Sequence, residues 1–181
     1  NPQAGYATDF LDFVRRALPQ LVEKNVKVVT NAGGLNPRAC RERVFEIARE
    51  LGIRGLKVGI VEGDDLLARL PGLVAAGHAM NNMDSGEPIA SVLDRVTSAN
   101  AYIGAQPVAR ALAAGAQIVL CGRVTDTALA LGPLVFEHGW AANDWDRLAA
   151  GTVAGHILEC GAQSTGGNFS RFWEVPDLWN V

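Results

Sequence analysis

Residues 117–133 have the sequence Gln117-Ile-Val-Leu-Cys-Gly-Arg-Val-Thr-Asp-Thr-Ala-Leu-Ala-Leu-Gly-Pro133, and this stretch decides the fold. Residues 118–121 are apolar and partly β-branched, which predicts a short strand buried on both faces. Gly122 ends the apolar run, and residues 128–131 are typical of a helix. We therefore expect a strand, a glycine turn and a helix in that order.

Two charged side chains follow the predicted strand, Arg123 and Asp126, and they are the only charged residues between Ala111 and Phe136. Asp126 is suited to cap the helix, because its carboxylate can accept hydrogen bonds from the free N–H groups of the first turn. Open α/β sheets bind ligands at the carboxyl ends of their strands. The pair indicates either a ligand site or a fixed turn with a helix cap, and the sequence leaves both open.

The composition is typical of a globular enzyme or binding domain. The 181 residues carry a net charge of -3, and they contain no basic run that would neutralise nucleic-acid phosphates. No apolar run approaches the roughly 18 residues that cross a bilayer, and no signal peptide is recognisable. The three cysteines lack a C-x-x-C spacing, which argues against a disulfide framework or a zinc site. We expect a cytoplasmic protein with no nucleic-acid or membrane partner.

Three further strands are predicted at residues 26–30, 56–61 and 100–104, with helical segments between the strands. Asn36 is expected to be the N-cap of one helix, with Pro37 at its first position and Gly52 at C′. The alternation of strands and helices predicts parallel strands with right-handed crossovers. The expected fold is therefore α/β in three layers, a mostly parallel sheet with helices on both faces and a ligand crevice at the carboxyl edge of the strands.

The domain organisation is expected to be simple. Residues 1–181 form a single α/β domain in this interpretation, and the chain is a piece of a longer one. Residues 71–98 are too long for an ordinary crossover, which indicates an insertion or a lid. Residues 162–181 show no clear periodicity and are expected to form an irregular tail.

Two Gly-Gly turns are candidate anion sites, because N–H groups at such turns can bind phosphate or carboxylate. Neither matches a dinucleotide-binding or P-loop pattern, and a tight turn explains each equally simply. The candidate binding residues are Gly33, Gly34, Thr165, Gly166, Gly167 and Asn168.

Glu62, Asp64 and Asp65 place three carboxylates at the end of a predicted strand. Such a group can bind Mg²⁺ or supply an acid or base. A helix cap by Asp64, with Asp65 paired to Arg69, explains the same residues, and we favour that interpretation.

The histidines and cysteines give no complete catalytic set, and the histidine spacings argue against zinc. His156 is expected in the core, His78 in the insertion as a possible mobile base, and His138 at the surface. Cys121 precedes Gly122 and Arg123, a position that would favour a thiolate, although a buried structural thiol is the commoner case.

Six motifs resemble the acyclic terpene utilisation (AtuA-like) family, once described as a domain of unknown function. They are Tyr6-Ala-Thr-Asp-Phe10, Thr30-Asn-Ala-Gly-Gly-Leu-Asn-Pro-Arg-Ala39, Val61-Glu-Gly-Asp-Asp65, Ser98-Ala-Asn-Ala-Tyr-Ile-Gly-Ala105, Gly122-Arg-Val-Thr-Asp126 and Ala154-Gly-His-Ile-Leu-Glu-Cys-Gly-Ala-Gln163. The resemblance covers nearly the whole chain and implies a role in the breakdown of citronellol- and geraniol-type terpenoids, which proceeds through branched acyl-CoA thioesters. It carries no agreed catalytic residues.

The leading hypothesis is an enzyme of branched acyl-CoA catabolism, of lyase or hydratase type, with a coenzyme A thioester as its substrate. Arg123 and the N–H groups of Gly33, Gly34 and Gly166 would bind phosphate or carboxylate, and Asp126 or Asp64 would act as acid or base. Asn31 or Asn168 would polarise the thioester carbonyl.

Two alternatives remain open at this point. One is a non-catalytic binding or assembly subunit of the same pathway, docked through residues 169–179. The other is a Mg²⁺-dependent hydrolase centred on residues 62–65. We also expect a homo-oligomer or a complex with a pathway partner, and no other cofactor is indicated.

Overall fold

The computed structural model of the chain describes residues 4–167 and 170–174. Helices and strands alternate along the chain, with short 3₁₀ turns between some of them. Their bounds are α1 Asp9–Glu23, β1 Val28–Thr30, α2 Pro37–Glu50, β2 Val58–Val61, α3 Leu70–Ala75, α4 Gln106–Ala113, β3 Ile118–Cys121, α5 Ala128–His138 and α6 Trp145–Cys160.

The sheet has the order β1-β3-β2, and both pairings are parallel. Val119 of β3 lies opposite Val29 on one side and Gly59 on the other. All four residues of β3 are buried, as predicted for a strand in the centre of a sheet covered on both faces. The carboxyl ends of the three strands therefore meet at one edge of the molecule.

Helices cover both faces of this sheet, which confirms the three-layer α/β fold. Ile118 and Leu120 of β3 pack with α1 and α2, where Val14, Leu18, Val44 and Ile47 are buried. Val119 and Cys121 alternate to the opposite face and pack with α4 and α5, where Val108, Leu112 and Ala128 are buried. A further helix, α6, packs against α5.

The ends of α2 form as the sequence predicts. Asn36 caps the helix, because its side-chain oxygen accepts a hydrogen bond from the N–H of Ala39 at 3.1 Å. Pro37 follows at the first helical position. The helix ends at Glu50, and Gly52 takes a left-handed φ of +71° at the C′ position.

The prediction of a strand at residues 100–104 is wrong. This segment instead bridges to loops beyond the strand ends, at Asp65↔Asn100 and Ile103↔Val124. The N–H of Ala101 donates to the carbonyl of Asp64 at 2.8 Å. Residues 100–104 therefore form a rim at the carboxyl edge, because their backbone hydrogen bonds go to the turns that follow β2 and β3.

The predicted insertion at residues 71–98 contains most of α3 and two single-turn 3₁₀ helices, Ile89–Ser91 and Leu93–Arg95. Its base is held by a hydrogen bond from the N–H of Leu66 to the carbonyl of Ala99 at 2.8 Å. Its action as a lid stays a prediction.

The predicted tail begins with the 3₁₀ segment Gly161–Thr165, and residues 168–169 and 175–181 lie outside the described residues. Within the described part of the chain, no helix combines the length and the apolar character needed to cross a membrane.

Candidate functional site

A crevice of about 270 Å³ lies where the three parallel strands end. The loop after β1 and the turn after β3 form its walls, and Asn100 contributes from the rim. Its lining residues are Ala7, Asn31, Ala32, Gly34, Leu35, Asn100, Gly122 and Arg123. The structure thus brings together Asn31, Gly34 and Arg123 from the set of residues that the sequence indicated.

Asp64 lies behind this crevice and is buried, with 6% of its surface exposed. Its Oδ2 accepts a hydrogen bond from the backbone N–H of Arg123 at 2.8 Å and another from the side-chain amide of Asn100 at 3.0 Å. A buried carboxylate is stable only with such partners. Asp64 therefore fixes the turn after β3 to the loop after β2 and to the rim.

The favoured interpretation of Asp64 as a helix cap is wrong. Asp65 makes the local bond instead, because its Oδ1 accepts a hydrogen bond from the N–H of Leu67 at 2.9 Å, two residues along the chain. The side chain of Asp64 faces the interior instead, since the turn after β3 offers it a backbone N–H 59 residues away in sequence. Local sequence gives no sign of such a distant partner.

Close packing explains two glycines at the crevice. A Cβ on Gly33 would lie 2.6 Å from the carbonyl oxygen of Cys121 and 2.7 Å from the Cβ of Pro37. A Cβ on Gly122 would collide with the carboxylate of Asp64. These glycines allow the loops after β1 and β3 to approach each other and the Asp64 side chain.

The loop after β1 uses several of its N–H groups within the protein. The N–H of Gly34 donates to the carbonyl of Asn31 at 3.0 Å, that of Leu35 to Gly5 at 2.7 Å, and that of Ala32 to the hydroxyl of Thr30 at 3.1 Å. Because the Gly34 amide is engaged in this way, an anion in the crevice would depend mainly on side chains. The binding role of Gly33 and Gly34 stays a prediction.

Arg123 supplies positive charge at this edge, and among the described residues that line the crevice it alone is charged. Its side chain is exposed, and its guanidinium lies 5.6 Å from the ring centroid of Tyr102, a cation–π contact with the rim. The nearby Arg38 is paired with Glu62, with 2.5 Å between Nη2 and Oε2. The charge of Arg38 is therefore balanced, whereas that of Arg123 faces the crevice.

Asp126 lies at a different cavity from Arg123. It lines a space of about 360 Å³ between α5 and α6, together with residues such as Leu129, Leu158 and Glu159. The prediction that Asp126 caps α5 is also wrong. Thr127 occupies the N-cap position, and no side chain accepts a hydrogen bond from the first turn of the helix. The N–H of Ala128 donates instead to the backbone carbonyl of Thr125 at 2.8 Å. Arg123 and Asp126 thus do not share one site.

The second Gly-Gly turn follows α6 and contributes no residue to the crevice lining. The N–H of Gly166 donates to the carbonyl of Gln163 at 3.1 Å, and that of Gly167 donates to Ala162 at 2.7 Å. The hydroxyl of Thr165 donates to the same carbonyl of Ala162 at 3.0 Å. Asn168 lies outside the described residues. The binding role of this turn stays a prediction, and the structure separates it from the crevice.

The three carboxylates at residues 62–65 have different partners. Glu62 pairs with Arg38, Asp64 binds the Arg123 turn, and Asp65 accepts from the N–H of Leu67. Across residues 4–167 and 170–174, no group of three His, Cys, Asp or Glu side chains is arranged to hold a metal ion. The arrangement gives the Mg²⁺ alternative no support.

Cys121 is unsuited to act as a thiolate. Burial, and the nearby charge of Asp64, raise the pKa of the Cys121 thiol to about 12. The buried structural thiol, which the sequence analysis gives as the commoner case, is confirmed, because Cys121 is fully buried in the core between β3 and α4. Cys40 is also buried, and burial raises the pKa of its thiol to about 11.

His156 is exposed, so the prediction of a core histidine is wrong. The face of α6 that packs against α5 is not the one that carries His156. The helix packs through Gly151 and Gly155, where an added Cβ would clash with Leu131 and Thr127 respectively. His138 is exposed as predicted and stacks on Trp140, with 5.6 Å between the ring centroids.

Two residues of the rim, Asn100 and Tyr102, were missed as site residues. Both fall in the segment that the sequence assigned to a strand. Their signal was present in the motif Ser98-Ala-Asn-Ala-Tyr-Ile-Gly-Ala105, where polar and aromatic side chains alternate with small residues. A buried strand would not carry an Asn at its first position without a partner, and that partner proved to be Asp64.

Comparison with known proteins gives one match. The family model described as acyclic terpene utilisation family protein AtuA matches residues 1–181, which is the whole chain. No curated protein and no solved structure matched at a significant level. The match agrees with the resemblance of the six motifs, and it implies a role in acyclic terpene utilisation. The chain belongs to the acyclic terpene utilisation family AtuA.

Proposed function

We propose that this chain is an enzyme of acyclic terpenoid breakdown that binds a branched acyl-CoA thioester, with the acyl group in the crevice at the carboxyl edge of the sheet. The observation that carries the proposal is the placement of Arg123. Asp64 holds its backbone N–H at 2.8 Å, so the turn presents a cation at the mouth of a crevice that is otherwise lined by amides and small apolar residues.

The lining residues suit the parts of such a substrate. The guanidinium of Arg123 can bind a carboxylate or a phosphate through two parallel hydrogen bonds. The side-chain amides of Asn31 and Asn100 can donate to a thioester carbonyl, and they would stabilise negative charge that develops on its oxygen. Leu35 and Ala32 offer apolar contact for a branched alkyl group.

The size of the crevice limits what can enter it. Its volume of about 270 Å³ lies just below the usual range of about 300–1,000 Å³ for sites that enclose a small molecule. An acyl group fits this space, whereas the nucleotide part of coenzyme A would remain at the exposed side near Arg123.

The proton-transfer group is a separate question from binding. The crevice lining within the described residues contains no His, Cys, Asp or Glu. Asp64 is close by, yet its carboxylate is engaged with Arg123 and Asn100, so we assign it a positioning role instead of the acid/base role first considered. The lyase or hydratase type of the reaction stays a prediction, since the family resemblance implies a metabolic setting and not a mechanism.

The test measures the midpoint of thermal unfolding with a panel of branched acyl-CoA thioesters, free coenzyme A, nucleotides and divalent metals. A ligand at 100 to 1,000 times its dissociation constant stabilises the folded state by about 2.7 to 4.1 kcal/mol. We expect branched acyl-CoA thioesters to raise the midpoint more than free coenzyme A does. A protein that responds to none of these compounds would contradict the proposal and favour the assembly-subunit alternative.

Arg123→Ala tests the role of the cation directly. The substitution keeps the backbone N–H that Asp64 binds, so the turn remains intact. We expect the dissociation constant of the acyl-CoA thioester to rise at least tenfold, and we expect Arg123→Lys to recover part of the lost affinity. Arg54→Ala is the matched control, because Arg54 is an exposed arginine that precedes β2 at the opposite edge of the sheet. Equal affinity in the Arg123→Ala and Arg54→Ala proteins would refute the assignment.

A further inference from the structure

The rim and the turn after β3 run side by side, and their backbones are hydrogen-bonded to each other. Ile103 of the rim pairs with Val124 in a parallel bridge. The N–H of Ile103 donates to the carbonyl of Arg123 at 3.2 Å, and the N–H of Thr125 donates to the carbonyl of Ile103 at 2.9 Å. The backbone therefore fixes the segment that carries Tyr102 beside the segment that carries Arg123.

The ring of Tyr102 lies outside the hydrophobic core. Side chains alternate along an extended segment, and Ile103 is the one that packs against the buried cluster formed by β3, α4 and α5. Tyr102 is 67% exposed, and the guanidinium of Arg123 lies over its ring, 5.6 Å from the centroid. Because so little of the ring is buried, its contact with Arg123 is better explained by a role at the crevice than by a role in folding.

The contact is suited to hold the side chain of Arg123. Asp64 and Ile103 bind the backbone N–H and carbonyl of this residue, and those bonds leave its long, exposed side chain free to rotate. A guanidinium over an aromatic ring is attracted by the negative face of the ring. At an exposed site this attraction favours the held position about two- to fivefold.

The ring holds the cation without neutralising it, and a second arginine shows the difference. The guanidinium of Arg41 lies 6.0 Å from the ring centroid of Phe45, but Arg41 also forms an ion pair with Glu42 at 3.0 Å. Tyr102 brings no carboxylate to Arg123. The N–H groups of Arg123 therefore remain suited to bind a carboxylate or a phosphate of a ligand.

We infer that Tyr102 is a positioning residue, whose ring holds the guanidinium of Arg123 at the mouth of the crevice so that it meets an anionic group of the ligand. For the identity of that ligand the inference rests on the proposed function. It deepens that function, because it assigns to the rim the task of orienting the cation of the site.

The mobility of the Arg123 side chain tests the contact without any ligand. NMR relaxation of arginine Nε–H groups measures their motion on the ps–ns timescale. We expect the order parameter of the Arg123 Nε–H group to fall in Tyr102→Leu and to stay unchanged in Tyr102→Phe, which keeps the ring. Trp145→Leu is the matched control, because Trp145 is an aromatic residue of α6 that is 71% exposed. Equal order parameters in the parent protein and Tyr102→Leu would overturn the inference.

Ligand binding tests the consequence for the site. We expect Tyr102→Leu to raise the dissociation constant of a branched acyl-CoA thioester about two- to fivefold, and Tyr102→Phe to leave it unchanged. In the Arg123→Ala protein, Tyr102→Leu should have no further effect, because the ring acts through the guanidinium. An equal loss of affinity with and without Arg123 would mean that the ring contacts the ligand itself, and this result would overturn the positioning role.

The two measurements separate this inference from the proposed function. A parent protein that binds no acyl-CoA thioester would contradict the proposed function, and the order parameters would still decide whether Tyr102 holds Arg123. A parent protein that binds the thioester no better than Tyr102→Leu does would overturn this inference alone.

Discussion

The Gly-Gly turns at residues 33–34 and 166–167 share a sequence pattern but differ in their surroundings. The first lies between β3 and α2, where a Cβ on Gly33 would come within 2.6 Å of a strand carbonyl. The second follows α6 on an exposed segment: a Cβ on Gly166 would have no heavy atom within 4 Å, and one on Gly167 would meet Ala162 of the same segment, 2.6 Å from its carbonyl oxygen. The comparison shows that a glycine pair marks a turn, whereas its position relative to the sheet decides whether the turn belongs to a site.

The largest expected effect is a loss of protein stability that differs between substitutions in the two turns. Gly33→Ala forces a methyl group against Cys121 and Pro37, and we expect it to lower the free energy of unfolding by about 3 kcal/mol. Gly166→Ala strains a backbone with φ of +80° but meets open space, so about 1 kcal/mol is expected. Urea unfolding of both variants measures the difference. Similar losses in the two variants would show that the environments are not as different as the packing indicates.

The next effect compares two adjacent carboxylates at the same strand end. Asp64→Ala leaves the Arg123 N–H and the Asn100 amide without their acceptor at a partly buried position, and a loss of about 1 to 3 kcal/mol is expected. Asp65→Ala removes one exposed acceptor of a local hydrogen bond and should cost about 1 kcal/mol. Asp64→Asn keeps one acceptor oxygen and should fall between them. If Asp65→Ala proves the more damaging, the positioning role of Asp64 is wrong.

These two residues also show where prediction from sequence succeeds and where it stops. The buried strand at residues 118–121 and the start of α2 at Asn36 and Pro37 follow from local patterns, and both were predicted correctly. Asp64 could not be assigned, because its partners Asn100 and Arg123 are 36 and 59 residues away. Its neighbour Asp65 makes a local bond, to the N–H of Leu67, and the local pattern wrongly favours Asp64 for such a bond.

The same limit explains the error at α6. Periodicity shows which residues share a face of a helix. His156 shares its face with apolar residues, and the sequence therefore predicts that this face is buried. In the structure the two glycines face α5, since close helix packing needs small residues at the contact. On an almost uniformly apolar helix, the pattern cannot show which side packs first.

The buried strand β3 contains the thiol of Cys121, and its titration should make the free energy of unfolding depend on pH. The pKa of Cys121 is raised to about 12 in the folded state, from an ordinary value of 9.0. Stability from this thiol is therefore complete below about pH 9 and falls as the pH rises toward 12, because the unfolded chain loses the proton first. The expected slope is about 1.4 kcal/mol per pH unit within that window.

Unfolding measured between pH 8 and 10.5 tests this slope, in the parent protein and in Cys121→Ala. We expect the variant to be less stable at pH 8 and to lose less stability as the pH rises. Cys160→Ala is the comparison variant: the hydrogen bond with Glu159 also raises the pKa of the Cys160 thiol, but Cys160 is only partly buried, so a smaller change of slope than in Cys121→Ala is expected. Identical slopes in the parent and Cys121→Ala would mean that the Cys121 thiol does not titrate in this way.

The smallest expected effect is the difference in stability between removing the cap at the start of α2 and removing the cap at the start of α6. Asn36 caps α2 directly after the first Gly-Gly turn, and its amide also donates to the carbonyl of Ala4 at 3.0 Å. Asp144 caps α6 with a longer bond of 3.4 Å to the N–H of Arg147, and it also pairs with that side chain at the surface. Asn36→Ala should therefore cost about 1 to 2 kcal/mol, and Asp144→Ala about 0.5 kcal/mol.

Thermal unfolding at low and high salt measures both cap variants. Salt should reduce the cost of Asp144→Ala, because part of that cost is an exposed ion pair, and it should leave Asn36→Ala unchanged. A cost of Asp144→Ala as large as that of Asn36→Ala would mean that the start of α6 is held as firmly as the start of α2. In that case the difference between the two regions would lie in the turns alone, since the helices beside them would be anchored equally well.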